Sequence, residues 1–161
     1  MSIRPTNTVY IDHAATTAVG PAVMDAMLPF FEGQFGNASS IYALGQASRR
    51  AIDDARTKCA KVLGARAGEI VFTSGGTESD NAAIMGAALA LRERGNHIVT
   101  TAIEHHAVLN VAQLLETLGF EVTYVRPGRD GIVTIESIEA AVTPATTVVS
   151  VMFANNETGA I

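Results

Sequence analysis

Three short polar stretches carry residue types that can do chemistry: Thr73-Ser74-Gly75-Gly76-Thr77-Glu78-Ser79-Asp80-Asn81, Ala102-Ile103-Glu104-His105-His106 and Ala154-Asn155-Asn156-Glu157-Thr158-Gly159. In the first, two glycines let the backbone approach a ligand closely. A helix starting there presents unpaired N–H groups and the positive end of its dipole. Thr77 adds a hydroxyl, so Gly76 and Thr77 read as an anion cradle, most naturally for a phosphate. The lysine that a P-loop carries after its second glycine is missing. The competing reading is a glycine turn with a Ser or Thr helix cap. His105, at the start of the next helix, has the chemistry to stack on a flat ring or to shuttle a proton; the alternative is a surface or capping histidine. His106 reads as a bystander, and Glu104-His105-His106 lacks the i, i+4 spacing of a metal pair, so no metal site is expected. An asparagine both donates and accepts, which suits Asn155 and Asn156 to a ligand hydroxyl or phenolate, or equally to a plain turn.

Two other groups read as structural. Cys59 falls on an apolar helical stripe between Ala55 and Leu63 and is expected to be buried and inert. Arg49, Arg50, Arg56, Lys58, Lys61 and Arg66 form a basic cluster, but Asp53, Asp54 and Glu69 interleave. A solvated helix face is the expectation, with partner docking as the alternative.

The elements that must position the three stretches follow from apolar periodicity. Val9-Tyr10-Ile11 reads as a short strand. A helix begins at Pro21, with Val23, Met27, Phe30 and Phe31 as its stripe, and a long helix runs from about Leu44 to Leu63, stopped by Gly64. From Glu69 strands and helices alternate: strand Ile70–Phe72, helix Thr77–Arg94, strand His97–Thr101, helix Glu104–Leu118, strand Phe120–Val125, a short strand and helix within Ile132–Val142, and strand Thr146–Phe153. Such alternation predicts an α/β fold with a mostly parallel sheet and helices on both faces, a three-layer arrangement. Ligands bind at the carboxyl ends of the strands in such sheets, which is where all three polar stretches fall. Residues 1–68 read as an N-terminal arm with helices, and 69–161 as the sheet domain.

Composition narrows the function classes. The 161 residues are 48% apolar and 17% charged, with a net charge of −5, which argues against an electrostatic nucleic-acid binder. One cysteine makes no intrachain disulfide. The longest apolar run, Ala82 to Leu91, is too short to cross a bilayer, and the N-terminus has no apolar signal-like core, so a cytoplasmic location away from membranes is expected. A mean hydropathy of +0.25 is high for a self-contained domain of this size.

Together with Tyr10-Ile11-Asp12-His13-Ala14-Ala15-Thr16-Thr17, Phe35-Gly36-Asn37-Ala38-Ser39-Ser40 and Gly119-Phe120-Glu121-Val122-Thr123-Tyr124, the three stretches closely resemble, in order, the N-terminal part of cysteine desulfurases of the NifS/IscS group. These are pyridoxal 5'-phosphate enzymes of the aspartate-aminotransferase fold. The resemblance implies that Gly76 and Thr77 hold the cofactor phosphate, that His105 stacks on the pyridine ring and assists proton transfers, and that Asn156 bonds the phenolic oxygen. It places His13-Ala14-Ala15 near the substrate entrance. Tyr42 stands where many members have histidine and receives no role.

By the same resemblance, the Schiff-base lysine, the aspartate at the ring nitrogen, the carboxylate-binding arginine and the sulfur-accepting cysteine lie beyond the Asn-Asn-Glu motif. The chain runs five residues past Asn156, and its only lysines, Lys58 and Lys61, sit on the long helix away from the expected site. The implied reaction converts L-cysteine to L-alanine and an enzyme-bound persulfide. The implied partners are a second copy, as a homodimer, and an iron–sulfur scaffold or other sulfur acceptor. The expectation is that this chain is the front portion of such an enzyme and inactive alone. The alternatives are a selenocysteine lyase or another enzyme of the superfamily, or a non-catalytic half that pairs with a partner chain.

Overall fold

A computed structural model describes residues 9–161. The chain divides into two compact units, one ending at Phe72 and the other spanning Thr73–Ile161.

The first unit contains α1 (Pro21–Glu32) and α2 (Ala43–Leu63), followed by a single 3₁₀ turn, Ala67–Glu69. Pro21 occupies the first turn of α1, where its missing N–H costs nothing. Gly64 closes α2 in the left-handed conformation at φ 65°, and the Ala65 N–H bonds the Ala60 carbonyl. Near the start of α2 the preceding loop lies directly on the helix: a Cβ on Gly45 would stand 2.5 Å from the Asn37 carbonyl oxygen, so only glycine fits. Charge pairing agrees with a solvated helix face, since Asp53 accepts from both Arg49 and Arg56, and Arg66 pairs with Glu69.

Several expectations for this unit are corrected. Cys59 is exposed, because α2 turns the row it shares with Leu63 towards solvent; Leu63 is itself 71% exposed. The α1 stripe is likewise uncovered, and no residue of α1 is buried. Val9-Tyr10-Ile11 and Ile70-Val71-Phe72 form no strands. A strand exists only where a neighbour takes its backbone groups, and neither triplet has a ladder partner among the described residues. Instead, the Arg56 Nε donates to the Ile70 carbonyl, and its guanidinium lies over the Phe72 ring.

The second unit is the expected α/β assembly. It contains α3 (Gly76–Ala90), β1 (His97–Thr101), α4 (His106–Thr117), β2 (Glu121–Val125), α5 (Ile135–Ala141) and β3 (Thr146–Ser150). The strands form a parallel sheet in the order β2-β1-β3. Ile98 is in register with Val122 and Val148, so the three side chains share one face. On that face α3 and α4 bury Ile84, Ala88, Val108, Val111 and Leu115. Central β1 is buried along its whole length. At its beginning, His97 ties the three strands together: Nδ1 bonds Thr146 Oγ1 at 2.7 Å and Nε2 bonds Thr123 Oγ1 at 2.9 Å.

Several element ends differ from expectation. No strand forms at Ile132. The α3 helix ends at Ala90 rather than Arg94, in tight turns such as Arg94 N–H to the Leu91 carbonyl. The α4 helix starts at His106 rather than Glu104, and β3 stops at Ser150 rather than Phe153.

Candidate functional site

Topology alone brings the three polar stretches to one edge. Because α3 leads into the start of β1, its own N-terminus lies at the far, carboxyl end of the strands. The α4 N-terminus follows β1 and the 151–160 loop follows β3 at that same end. Bonds confirm the convergence. Asn81 Nδ2 on α3 donates to the Ala107 carbonyl at the start of α4 (3.2 Å), and Asn155 Nδ2 donates to the Ile103 carbonyl (2.9 Å).

The α3 N-terminus is an open donor surface. Gly75 is its N-cap, in extended conformation and without a side-chain cap. The amides of Gly76, Thr77 and Glu78 therefore have no acceptor within the helix. A Cβ on Gly75 or Gly76 would meet nothing within 4 Å, and Thr77 is exposed. The neighbouring turn is held by Glu78, whose carboxylate accepts from the Ser74 hydroxyl and the Ser74 N–H, both at 2.6 Å. The side-chain bond, then the backbone bond, hold the Glu78 carboxyl below the ordinary carboxylate value of 4.5. A depressed pKa means that these bonds are intact above 4.5 and are lost as pH falls through the folded-state value. Ser74→Ala removes the larger contribution. An NMR titration of the Glu78 carboxyl is expected to show a midpoint below 4.5 in the parent and a higher one in the variant; equal midpoints would refute the assignment.

His105 caps α4. Its Nδ1 accepts from the Ala107 N–H at 3.1 Å, which in the neutral ring puts the proton on Nε2. The ring is otherwise exposed, with its Nε2–H turned free of the cap. His105 therefore caps its helix, as the alternative sequence reading had it, and the residue is exposed beyond that cap. Asn156 is exposed, and its Nδ2 donates to Glu157 Oε1 at 2.7 Å. Gly76, Thr77, His105 and Asn156 are all at the same end of the sheet, on three separate loops. His13 belongs to the first unit, where Nδ1 bonds Thr17 Oγ1.

Two residues matter more than the sequence indicated. Glu104 is 8% exposed, and its Oε1 accepts from Thr101 Oγ1 and from the Met152 N–H, both at 2.8 Å. The extended backbone of His105, the N-cap, starts α4 at His106, and past the end of β3 the Met152 N–H is taken up by Glu104. Asn155 is equally buried, and its Oδ1 accepts from Glu157 N, Thr158 N and Thr158 Oγ1. The signal for both was an acidic or amide residue directly preceding an exposed site residue, which is visible only once burial is known.

Residues 9–161 match the class-V aminotransferase family. The chain belongs to that family. It is 52% identical over 153 residues to the cysteine desulfurase IscS of Clostridium botulinum strain Hall, covering 95% of this chain and 38% of the relative. Among solved structures, a NifS-like protein superposes with a TM-score of 0.87 at 41% identity, covering 92% of this chain and 41% of that one. A second, SspA in complex with cysteine, gives 0.86 at 39% identity, covering 93% and 43%. The chain thus spans about two fifths of the length of the relatives it matches. The parallel α/β core and the resemblance to the N-terminal part of NifS/IscS-type proteins agree with the sequence reading.

Proposed function

We propose that this chain supplies the phosphate- and ring-binding side of a pyridoxal 5'-phosphate site in a cysteine desulfurase, which takes L-cysteine to L-alanine and leaves the sulfur as an enzyme-bound persulfide. The observation that carries the reading is the convergence, on one sheet edge, of uncapped helix amides with a histidine and an asparagine from two neighbouring loops. The donor set suits the cofactor. Unpaired amides at Gly76 and Thr77, with the Thr77 hydroxyl, match a dianionic phosphate. His105 offers a flat ring for stacking and an Nε2–H for moving a proton, while its capped Nδ1 keeps the ring oriented. Asn156 offers an amide N–H to a phenolic oxygen. Bound pyridoxal phosphate supplies an electron sink for charge developing at the substrate's α-carbon.

Membership of the family and similarity to IscS support the desulfurase assignment, and the cysteine named in the SspA structure supports the substrate. The same reading carries a cytoplasmic homodimer that passes sulfur to an iron–sulfur scaffold or another acceptor protein. It also implies that the chain by itself does not turn over L-cysteine, since the family resemblance matches neither of its lysines, Lys58 and Lys61, to the Schiff-base residue.

Titrating pyridoxal phosphate into the 161-residue chain, followed by cofactor absorbance, is the test. Saturable binding of one cofactor per chain, displaced by inorganic phosphate and leaving the mass unchanged after borohydride reduction, is expected. Absence of saturable binding overturns the site, and a mass increase mapped to Lys58 or Lys61 overturns the claim of non-covalent binding.

A further inference from the structure

We infer that Glu104 is a positioning residue: its buried carboxylate, acting with Asn155, sets where His105 and Asn156 stand relative to one another. This rests on the cofactor reading above for what the two residues hold, but not for the brace itself.

The β1–β3 ladder reaches only to Thr100 and Ser150. Beyond it β3 ends and runs into the 151–160 loop, while β1 stays paired with β2 for one more residue, Thr101 with Val125, before turning towards α4. Two parallel strands that stop pairing leave backbone donors to be satisfied and no fixed separation between the loops that follow. Glu104 Oε1 supplies both: it receives the hydroxyl of Thr101, a fully buried residue on β1, and the N–H of Met152, two residues past β3. The carboxylate thus serves as the ladder acceptor that the diverging backbone no longer provides. Asn155 makes the second tie through Nδ2 to the Ile103 carbonyl, and its Oδ1 closes the turn that presents Asn156.

The two loops repeat one arrangement. A buried tether residue, Glu104 or Asn155, immediately precedes an exposed residue, His105 or Asn156. Each tether reaches the opposite loop: Glu104 reaches the segment after β3, and Asn155 reaches the segment after β1. Moving either loop therefore requires breaking bonds in the other. Thr77 and the α3 amides stand outside this brace, on the first turn of a helix whose hydrogen bond to α4 runs through Asn81.

That separation makes the test specific. Glu104→Ala strands the buried Thr101 hydroxyl and the half-buried Met152 N–H, whereas Glu104→Gln retains a carbonyl oxygen able to accept both. In the 161-residue chain, Glu104→Ala is expected to speed amide hydrogen exchange at both 102–107 and 152–158, with Glu104→Gln close to the parent. It is also expected to weaken pyridoxal phosphate binding about tenfold while inorganic phosphate binding stays as in the parent. Unchanged exchange in either loop overturns the brace, whether or not the cofactor binds. Equal loss of cofactor and phosphate binding, or exchange raised throughout α3 and β1, would make Glu104 a general stability residue and overturn its positioning role. If the parent chain binds no pyridoxal phosphate, the cofactor reading fails, while the exchange measurement still decides the brace.

Discussion

Leu115→Ala is expected to destabilise the second unit by about 3–4 kcal/mol, enough to raise its unfolded fraction more than a hundredfold. Leu115 is fully buried on α4, within the cluster formed by Ile84, Ala88, Ile98, Val111 and Phe120. Truncation removes the apolar area that the side chain buries and leaves a cavity that the surrounding elements cannot close. Ile98 is fixed in the central strand, and Ala88 has no longer side chain to reach inward. Urea denaturation followed by circular dichroism reads the effect as a lower midpoint at unchanged slope. A loss below about 1 kcal/mol would mean that the helices pack more loosely on this face than described. The change has a functional side as well, because α4 carries His105 at its N-terminus and no brace at the strand ends can hold a helix that has lost its seat.

Thr77→Val is expected to have the opposite profile, with a large effect on binding and none on the fold. The Thr77 side chain is exposed at the first turn of α3, and valine keeps its shape while removing the hydroxyl. A hydrogen bond to a charged group contributes about 1.5–3 kcal/mol, so pyridoxal phosphate affinity is expected to fall about tenfold or more, and inorganic phosphate affinity with it. Thermal stability should move by less than about 0.5 kcal/mol. Paired loss of both ligands distinguishes this variant from Glu104→Ala, where only the cofactor is affected. Undiminished affinity would place the phosphate elsewhere than the α3 N-terminus.

The legibility of this fold in its sequence varied with how local the deciding interactions are. Strand β1 was delimited residue for residue, since Ile98, Val99, Thr100 and Thr101 are all β-branched and Gly95-Asn96 marks a turn just before His97. The Gly64 stop of α2 was equally legible, because a left-handed cap is a property of one residue. The triplets Val9–Ile11 and Ile70–Phe72 share the strand composition of β1 yet form no strand, since pairing depends on a neighbour that no local pattern records. Cys59 failed for a related reason: helical spacing shows which residues share a face, but not whether anything covers that face.

For the candidate site, residue chemistry was readable and its support was not. Gly76, Thr77, His105 and Asn156 stood out because glycines before a helix, a histidine at a helix start and paired asparagines after a strand are local signatures. Strand direction then places all of them at the carboxyl edge of the sheet, so fold class and family likeness were both legible before any packing was known. Only the tertiary structure decided that Glu104 and Asn155 are buried tethers, that Nδ1 of His105 is taken up by the Ala107 amide, and that Glu78 holds the Ser74 turn. The reason is that a carboxylate next to a histidine has the same sequence signature whether it faces water or accepts from a backbone amide 48 residues away. Burial and partner choice are set by the packing of segments distant in the chain, and they decide which polar residue acts on a ligand and which holds its neighbour in place.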